Sequence, residues 1–172
     1  PEPLIEPLSS FVDTQTTKAL IPFTKEYPLR YWAETSSSGW KGPLIEKQEK
    51  LNGSKSLKLN LKSTRSASRM VLLLPKKSNL ESFNLGSLEI QPTLSRWGLY
   101  KGYYVVYLNG VYDKEVELTL NFETSQKEVN GYLLDISTKL PNHLDDLYKQ
   151  RSGIFSPVHR GDQAILIKKI SI

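Results

Sequence analysis

The chain contains no cysteine, which excludes a disulfide framework, thiolate catalysis and any cysteine-based zinc site. It has only two histidines, His143 and His159. A catalytic zinc site needs several imidazole or carboxylate ligands that converge on one point. The nearest approach to such a set is His143 with Asp145 and Asp146, and no second cluster joins it. We therefore expect no metal site and no cofactor.

The sequence also lacks the local signatures of common catalytic centres. There is no Gly-x-Ser-x-Gly elbow for a nucleophilic serine, no Walker loop and no Gly-x-Gly-x-x-Gly fingerprint. Glu115, Glu117 and Glu123 are carboxylates of the kind that glycosidases use in pairs. They share one face of a predicted strand, which favours a solvated surface over a catalytic cleft. We expect no catalytic residue in this chain.

Long apolar runs are absent too, since no stretch approaches the ~20 apolar residues of a membrane span. Three prolines fall within the first ten residues, which predicts an extended arm or linker over 1–10. The remaining residues, 11–172, are of a length typical of one domain. The start at Pro1-Glu2-Pro3, without an initiator methionine, favours a fragment of a longer protein.

The charge is mildly basic, with a formal net charge of +5. The lysines are scattered among glutamates, as in the segment Glu46-Lys47-Gln48-Glu49-Lys50. No basic run is dense enough to follow a phosphate backbone, so we expect no nucleic-acid partner. A mixed-sign surface of this kind is typical of a monomer or weak oligomer.

Alternation of apolar and polar residues predicts a mostly β-strand protein. Leu57, Leu59 and Leu61 alternate with polar residues, and Met70 to Leu74 forms a continuous apolar run. The segment 103–108 is aromatic and β-branched and ends at Asn109-Gly110, a strong hairpin signal. We therefore predict that this strand pairs with the next one, whose inward residues are Val116, Leu118, Leu120 and Phe122.

Other segments complete the predicted fold. Polar residues 13–17 predict a turn between two short strands, and Asn130-Gly131 predicts a turn before a strand over 132–136. A short apolar stripe after Pro141 predicts one helix over 140–151, and 164–172 predicts a closing strand. Many short strands with turns between them predict an antiparallel, jelly-roll-like β-sandwich with one short helix near the C-terminus. A small barrel is the alternative.

The three tryptophans, Trp32, Trp40 and Trp97, all lie in loop-like sequence contexts. Aromatic rings on the loops of a sandwich can stack on sugars or grip a partner. The alternative is that each ring closes one end of the core. These three residues are the candidate ligand or partner contacts of the chain. Asn52-Gly53-Ser54 matches a glycosylation acceptor triplet, but the Asn-Gly pair favours a simple turn there.

The ordered set of segments resembles a known family. Arg30-Tyr31-Trp32-Ala33 followed by Trp40, the aromatic strand 102–107, Leu144-Asp145-Asp146-Leu147, and Phe155-Ser156-Pro157 before the last strand carry the resemblance. Together they look like the C-terminal extramembrane domain of membrane-bound di-zinc exopeptidases of the aminopeptidase type, including the endoplasmic-reticulum metallopeptidase. The family's zinc ligands lie in a separate peptidase domain, and nothing in this sequence matches them.

The resemblance implies a non-catalytic accessory domain on the extracytoplasmic side of a membrane, in the periplasm or the lumen. Its partner would then be the rest of its own chain, and its role would be folding, substrate access or partner contact. A second interpretation is a carbohydrate-binding module that uses Trp40 and Trp97 to hold a glycan. A peptide is the other ligand class considered for this chain. A third is an independent hydrolase with a carboxylate site.

Overall fold

The computed structural model describes the backbone of 14–18 and 29–32 and the complete residues of 41–138 and 163–172. The chain forms two compact units, one from 1–39 with 139–164 and one from 40–138 with 165–172. In the first unit, strand β1 (Thr14–Lys18) pairs antiparallel with β2 (Leu29–Trp32). The turn predicted at 13–17 is therefore wrong for 14–17, where threonine favours a strand. The predicted helix over 140–151 lies outside the described residues.

The second unit is an antiparallel β-sandwich, as the alternation predicts. Its first sheet, sheet I, has the strand order β3 (Leu44–Leu51), β4 (Ser56–Lys62), β10 (Glu115–Phe122), β6 (Leu80–Leu85) and β7 (Leu88–Ile90). Its second sheet, sheet II, has the order β12 (Ala164–Ser171), β11 (Asn130–Ser137), β5 (Arg69–Pro75), β9 (Tyr103–Asn109) and β8 (Thr93–Leu94). Two short 3₁₀ turns, Asn52–Ser54 and Lys76–Ser78, interrupt the strands.

The core lies between the inner faces of the two sheets. Sheet I contributes Leu59, Leu61, Leu118 and Leu120, all fully buried, and sheet II contributes Met70, Leu72, Val106 and Leu133, also fully buried. Val116 packs against the same cluster and Phe122 is part of it, so the predicted inward set of β10 is confirmed. Burying each such side chain contributes about 1.5–3 kcal/mol, which is the main force that holds the sheets together.

The predicted hairpin at Asn109-Gly110 is wrong. Strand β9 belongs to sheet II and β10 to sheet I, so the chain crosses from one sheet to the other between them. The Gly110 amide donates to the Ser68 carbonyl at 2.7 Å, and the Tyr112 amide donates to the Ala67 carbonyl at 2.8 Å. These bonds fasten the connection to the neighbouring β4–β5 segment. The apolar sides of both strands contribute to the same core cluster, through Val106 and Leu108 of β9 and Leu118 and Leu120 of β10.

A second connection crosses between the sheets in the same way, since β4 lies in sheet I and β5 in sheet II. Strands β4 and β5 are neighbours in the chain but therefore do not pair with each other. The turn predicted at Asn130-Gly131 is also wrong, because both residues begin β11. Gly131 is needed there for space, since a Cβ at this position would lie 2.4 Å from the Leu73 carbonyl oxygen.

A buried ion pair closes one end of the sandwich. Nε of Arg65, in the β4–β5 connection, lies 2.7 Å from Oδ1 of Asp135 on β11, and both side chains are almost completely buried. The Ser63 hydroxyl donates to Asp135 Oδ2 at 2.6 Å, and Arg65 also donates to the Ser137 hydroxyl at 2.5 Å. These two hydrogen bonds help to compensate the burial of both charges.

The outer faces of the two sheets differ in polarity. The outer face of sheet I is polar, with an ion pair of 2.8 Å between Lys58 and Glu117 and with Asn121 bonded to Ser56, Ser82 and Asn84. On sheet II, the residues that alternate with the core positions are apolar or aromatic. They are Val71, Leu73, Tyr103, Val105, Tyr107, Tyr132, Leu134 and Ile136. The groove described below opens at one edge of this face.

Candidate ligand-binding groove

A groove of about 760 Å³ lies beside β8 and β9 at the edge of sheet II. All the described residues that line it come from one hairpin of the chain. They are Pro92, Thr93, Leu94, Ser95, Arg96, Trp97, Val105 and Tyr107. Val105 and Tyr107 alternate along β9 with Tyr104 and Val106, which face the core. The floor of the groove is therefore the outer face of sheet II.

Backbone hydrogen bonds fix the loop between β8 and β9. The Ser95 amide donates to the Tyr103 carbonyl at 2.9 Å, and the Gly102 amide donates to the Ser95 carbonyl at 2.9 Å. Gly102 has a φ of 85° and Gly98 a φ of 75°, a region that side-chain-bearing residues rarely adopt. The Ser95 hydroxyl also donates to the Trp97 carbonyl at 2.9 Å. Trp97 is therefore presented by a loop whose backbone is held at both ends.

Two aromatic side chains of the groove are open to solvent. Trp97 is 80% exposed and Tyr107 is 51% exposed. The Tyr107 ring lies 6.5 Å from the ring of Tyr100 at an angle of 59°, a tilted arrangement that aromatic pairs favour. Tryptophan is highly buried on average in folded proteins, so an exposed indole on a concave surface is an informative exception.

The polar groups of the groove are few and are all able to bond a ligand. Thr93 and Ser95 carry hydroxyls, which donate and accept, and Arg96 carries an exposed guanidinium with five N–H donors. Among the described lining residues, Arg96 is the one cation and none is a carboxylate. An apolar, aromatic groove with a small number of hydrogen-bonding groups is the usual form of a small-ligand site.

Tyr103 and Tyr132 form a second aromatic pair on the outer face of sheet II. Their rings lie 6.1 Å apart, edge to face. Burial, and then the neighbouring Tyr132, raise the pKa of the Tyr103 phenol above its ordinary value. The pair does not line the groove. It therefore packs this face of the sheet beside the site and is no part of the lining.

The structure treats the three predicted contact residues differently. Trp97 lies in a loop, as predicted, and its exposure contradicts the alternative in which it closes an end of the core. Trp32 ends strand β2, so its predicted loop position is wrong. Trp40 lies outside the described residues. The sequence analysis missed Tyr107 and Arg96, although the alternation along β9 could have placed Tyr107 on the outer face.

The carboxylates considered for hydrolysis lie on the polar side of sheet I. Glu117 pairs with Lys58, and Glu115 accepts a hydrogen bond from the Asn60 amide. Glu123 is exposed just after the end of β10. None of the three lines the groove. Their placement on the outer face of sheet I agrees with a solvated surface.

Within 41–138 and 163–172, no group of three acidic, histidine or cysteine side chains is arranged to hold a metal ion. His143 and His159 lie outside the described residues. The described part of the chain also contains no helix of the length and apolarity that would cross a membrane.

No protein-family model, curated protein or solved structure matches this chain. The resemblance to the C-terminal domain of membrane-bound zinc exopeptidases therefore stays a prediction. The accessory role, the extracytoplasmic location and the partnership with a peptidase region, all of which rest on that resemblance, stay predictions with it.

Proposed function

We propose that this chain is a non-catalytic binding module that holds a glycan in the groove beside β8 and β9. The observation that carries the proposal is Trp97, a residue whose indole is 80% exposed on a concave surface and whose backbone is fixed by the loop. Tyr107 adds a second half-exposed ring to the same groove. An aromatic platform of this kind supports the second interpretation of the sequence.

The chemistry of a sugar ring suits such a surface. A pyranose has a face of C–H groups, which packs against the negative face of an aromatic ring, and a rim of hydroxyls. The hydroxyls of Thr93 and Ser95 and the guanidinium of Arg96 supply hydrogen-bond partners for that rim. The groove also has a volume within the range of small-ligand sites, about 300–1,000 Å³.

A glycan array followed by calorimetry with the best ligand tests the proposal. We expect Trp97→Ala to weaken binding by about 30-fold or more, as the loss of a central aromatic contact does. Tyr107→Ala should weaken binding by a smaller factor. Tyr112→Ala is the matched control, because Tyr112 is 54% exposed but does not line the groove. A blank array, or binding that Trp97→Ala leaves unchanged in a folded protein, would contradict the proposal.

Fluorescence provides a test that needs no known ligand. Trp97 is exposed, so its emission should be quenched readily by acrylamide. The variant Trp97→Phe should lose that accessible component while it keeps the emission of Trp32 and Trp40. In the unmodified chain, a bound glycan should protect the accessible component. An unchanged quenching curve for Trp97→Phe would show that the indole is covered and would remove the basis of the proposal.

A further inference from the structure

The hairpin that forms the groove carries positive charge only. The segment 91–112 contains Arg96 and Lys101 and has no aspartate or glutamate. The neighbouring segment 69–80 likewise has basic residues and no acidic one. The two segments are joined at the groove loop, where the Lys76 amide donates to the Gly102 carbonyl at 3.0 Å. This pattern contrasts with the outer face of sheet I, where lysines alternate with glutamates.

Arg96 differs from the other arginines whose side chains the structure describes. Arg65 is paired with Asp135, and Nε of Arg69 donates to the Asn109 side chain at 2.8 Å. Among the described residues, no carboxylate lies within 4.0 Å of the Arg96 guanidinium. Arg96, whose guanidinium is exposed, directly precedes Trp97 in the chain, and no acidic residue is among the described residues that line the groove, so the guanidinium is placed to receive an anion from a ligand.

We propose that the ligand of this groove is an acidic saccharide, a sugar with a carboxylate or sulfate group. This inference rests on the proposed function, glycan binding, and specifies further that the glycan carries a negative charge. The sugar ring would stack on Trp97 while its anionic group binds the Arg96 guanidinium. The planar fork of arginine binds two oxygens of such a group at once, which a neutral sugar cannot offer.

The test compares three hexasaccharides of similar length by calorimetry: a uronic-acid oligomer, a sulfated oligomer and a neutral oligomer. We expect at least one acidic oligomer to bind about 10- to 100-fold more tightly than the neutral one, the usual effect of a charged hydrogen bond. Arg96→Gln should reduce the acidic affinity to the neutral value. Arg96→Lys, which keeps the charge and loses the fork, should give an intermediate affinity. The two acidic oligomers distinguish carboxylate from sulfate.

Lys114→Gln is the matched control, since it removes the same charge from an exposed residue outside the groove and should change nothing. Equal affinity for neutral and acidic oligomers, unaffected by Arg96→Gln, would overturn this inference and leave the proposed function intact. Failure of all three oligomers would count against both. Acidic binding that persists in Trp97→Ala, or that extends equally to nucleic acid, would indicate a general attraction between charges and would also overturn the inference.

Discussion

Arg65 and Asp135 join two parts of the chain that are 70 residues apart, with Nε and Oδ1 separated by 2.7 Å. Arg65 belongs to the connection between the sheets, and Asp135 to strand β11 of sheet II. The guanidinium also donates to the backbone carbonyl of Asp135 at 2.8 Å. The pair therefore fixes one end of the sandwich with a specific geometry, in addition to the apolar contacts of the core.

Removing one partner of this pair should leave a buried charge without compensation. We expect Asp135→Leu or Arg65→Met, each made alone, to lower the free energy of unfolding by about 3–5 kcal/mol. The double replacement Arg65→Met with Asp135→Leu should be much milder than the sum of the two single changes, because no buried charge remains. Chemical denaturation of the four proteins measures this coupling. Additive effects would show that the two charges are solvated independently.

The core face of β10 can be tested one side chain at a time. Leu118→Ala removes a fully buried side chain and should lower the free energy of unfolding by about 2–5 kcal/mol. Thr119→Ala is the control, since Thr119 is next in the strand and points to the outer face of sheet I. A loss below about half a kcal/mol for Leu118→Ala would mean that this face is not the core.

Gly131 offers a test of close packing between β11 and β5. Gly131→Ala places a Cβ 2.4 Å from the Leu73 carbonyl oxygen, so the backbone of one strand must move. We expect a loss of stability of about 1–3 kcal/mol, as is usual for an overpacked site. Gly42→Ala is the control, because the nearest atom to its added Cβ is 3.9 Å away, an ordinary contact. Thermal unfolding of the two variants should therefore separate them clearly.

Glu128 gives stability a dependence on pH. A hydrogen bond from the Ser171 hydroxyl, and then one from the Asn130 amide, lower the pKa of this carboxyl below its ordinary value. A lowered pKa in the folded state means that the contribution is present above the unfolded pKa and is lost as the pH falls through the folded pKa. Glu128→Gln should flatten this part of the stability curve, and Ser171→Ala should flatten it partly. If Glu128→Gln loses stability at acidic pH as steeply as the unmodified protein, Glu128 is not the group responsible.

The sequence was sufficient to predict which residues of the strands are buried but not how the strands are paired. Leu118 and Leu120 alternate with polar residues, and this alternation is the same whether β10 pairs with β9 or faces it across a core. A local turn signal such as Asn109-Gly110 favours a hairpin, in which β9 pairs with the next strand in the chain. The structure adopts the other one because the connection from Gly110 to Lys114 bonds to Ser68 and Ala67, which come from a distant part of the sequence.

The residues of the groove, too, could be predicted only in part from the sequence. The loop position of Trp97 could be predicted from the residues around it, but its exposure depends on the edge of sheet II on which the loop lies. Tyr107 enters the groove because strand alternation and sheet order together place it there. Arg96 carries no local signal, since the absence of a nearby carboxylate is a property of the fold. Which side chains are exposed together in the groove thus depends on strand pairing between distant segments, and this pairing could not be predicted from one sequence.

The two crossings between the sheets have a consequence for how the molecule folds. Because neither β4–β5 nor β9–β10 forms a hairpin, both central strand pairs of the sandwich join segments that are far apart in sequence. Strand β10 pairs with β4, and a side-chain hydrogen bond between these strands joins Asn60 and Glu115, 55 residues apart; β11 pairs with β5 over a similar separation. Chains with such a high contact order close large loops before they gain native contacts, and they fold in milliseconds to seconds. The central strand pairs of the two sheets should therefore form late and together, in a single slow step.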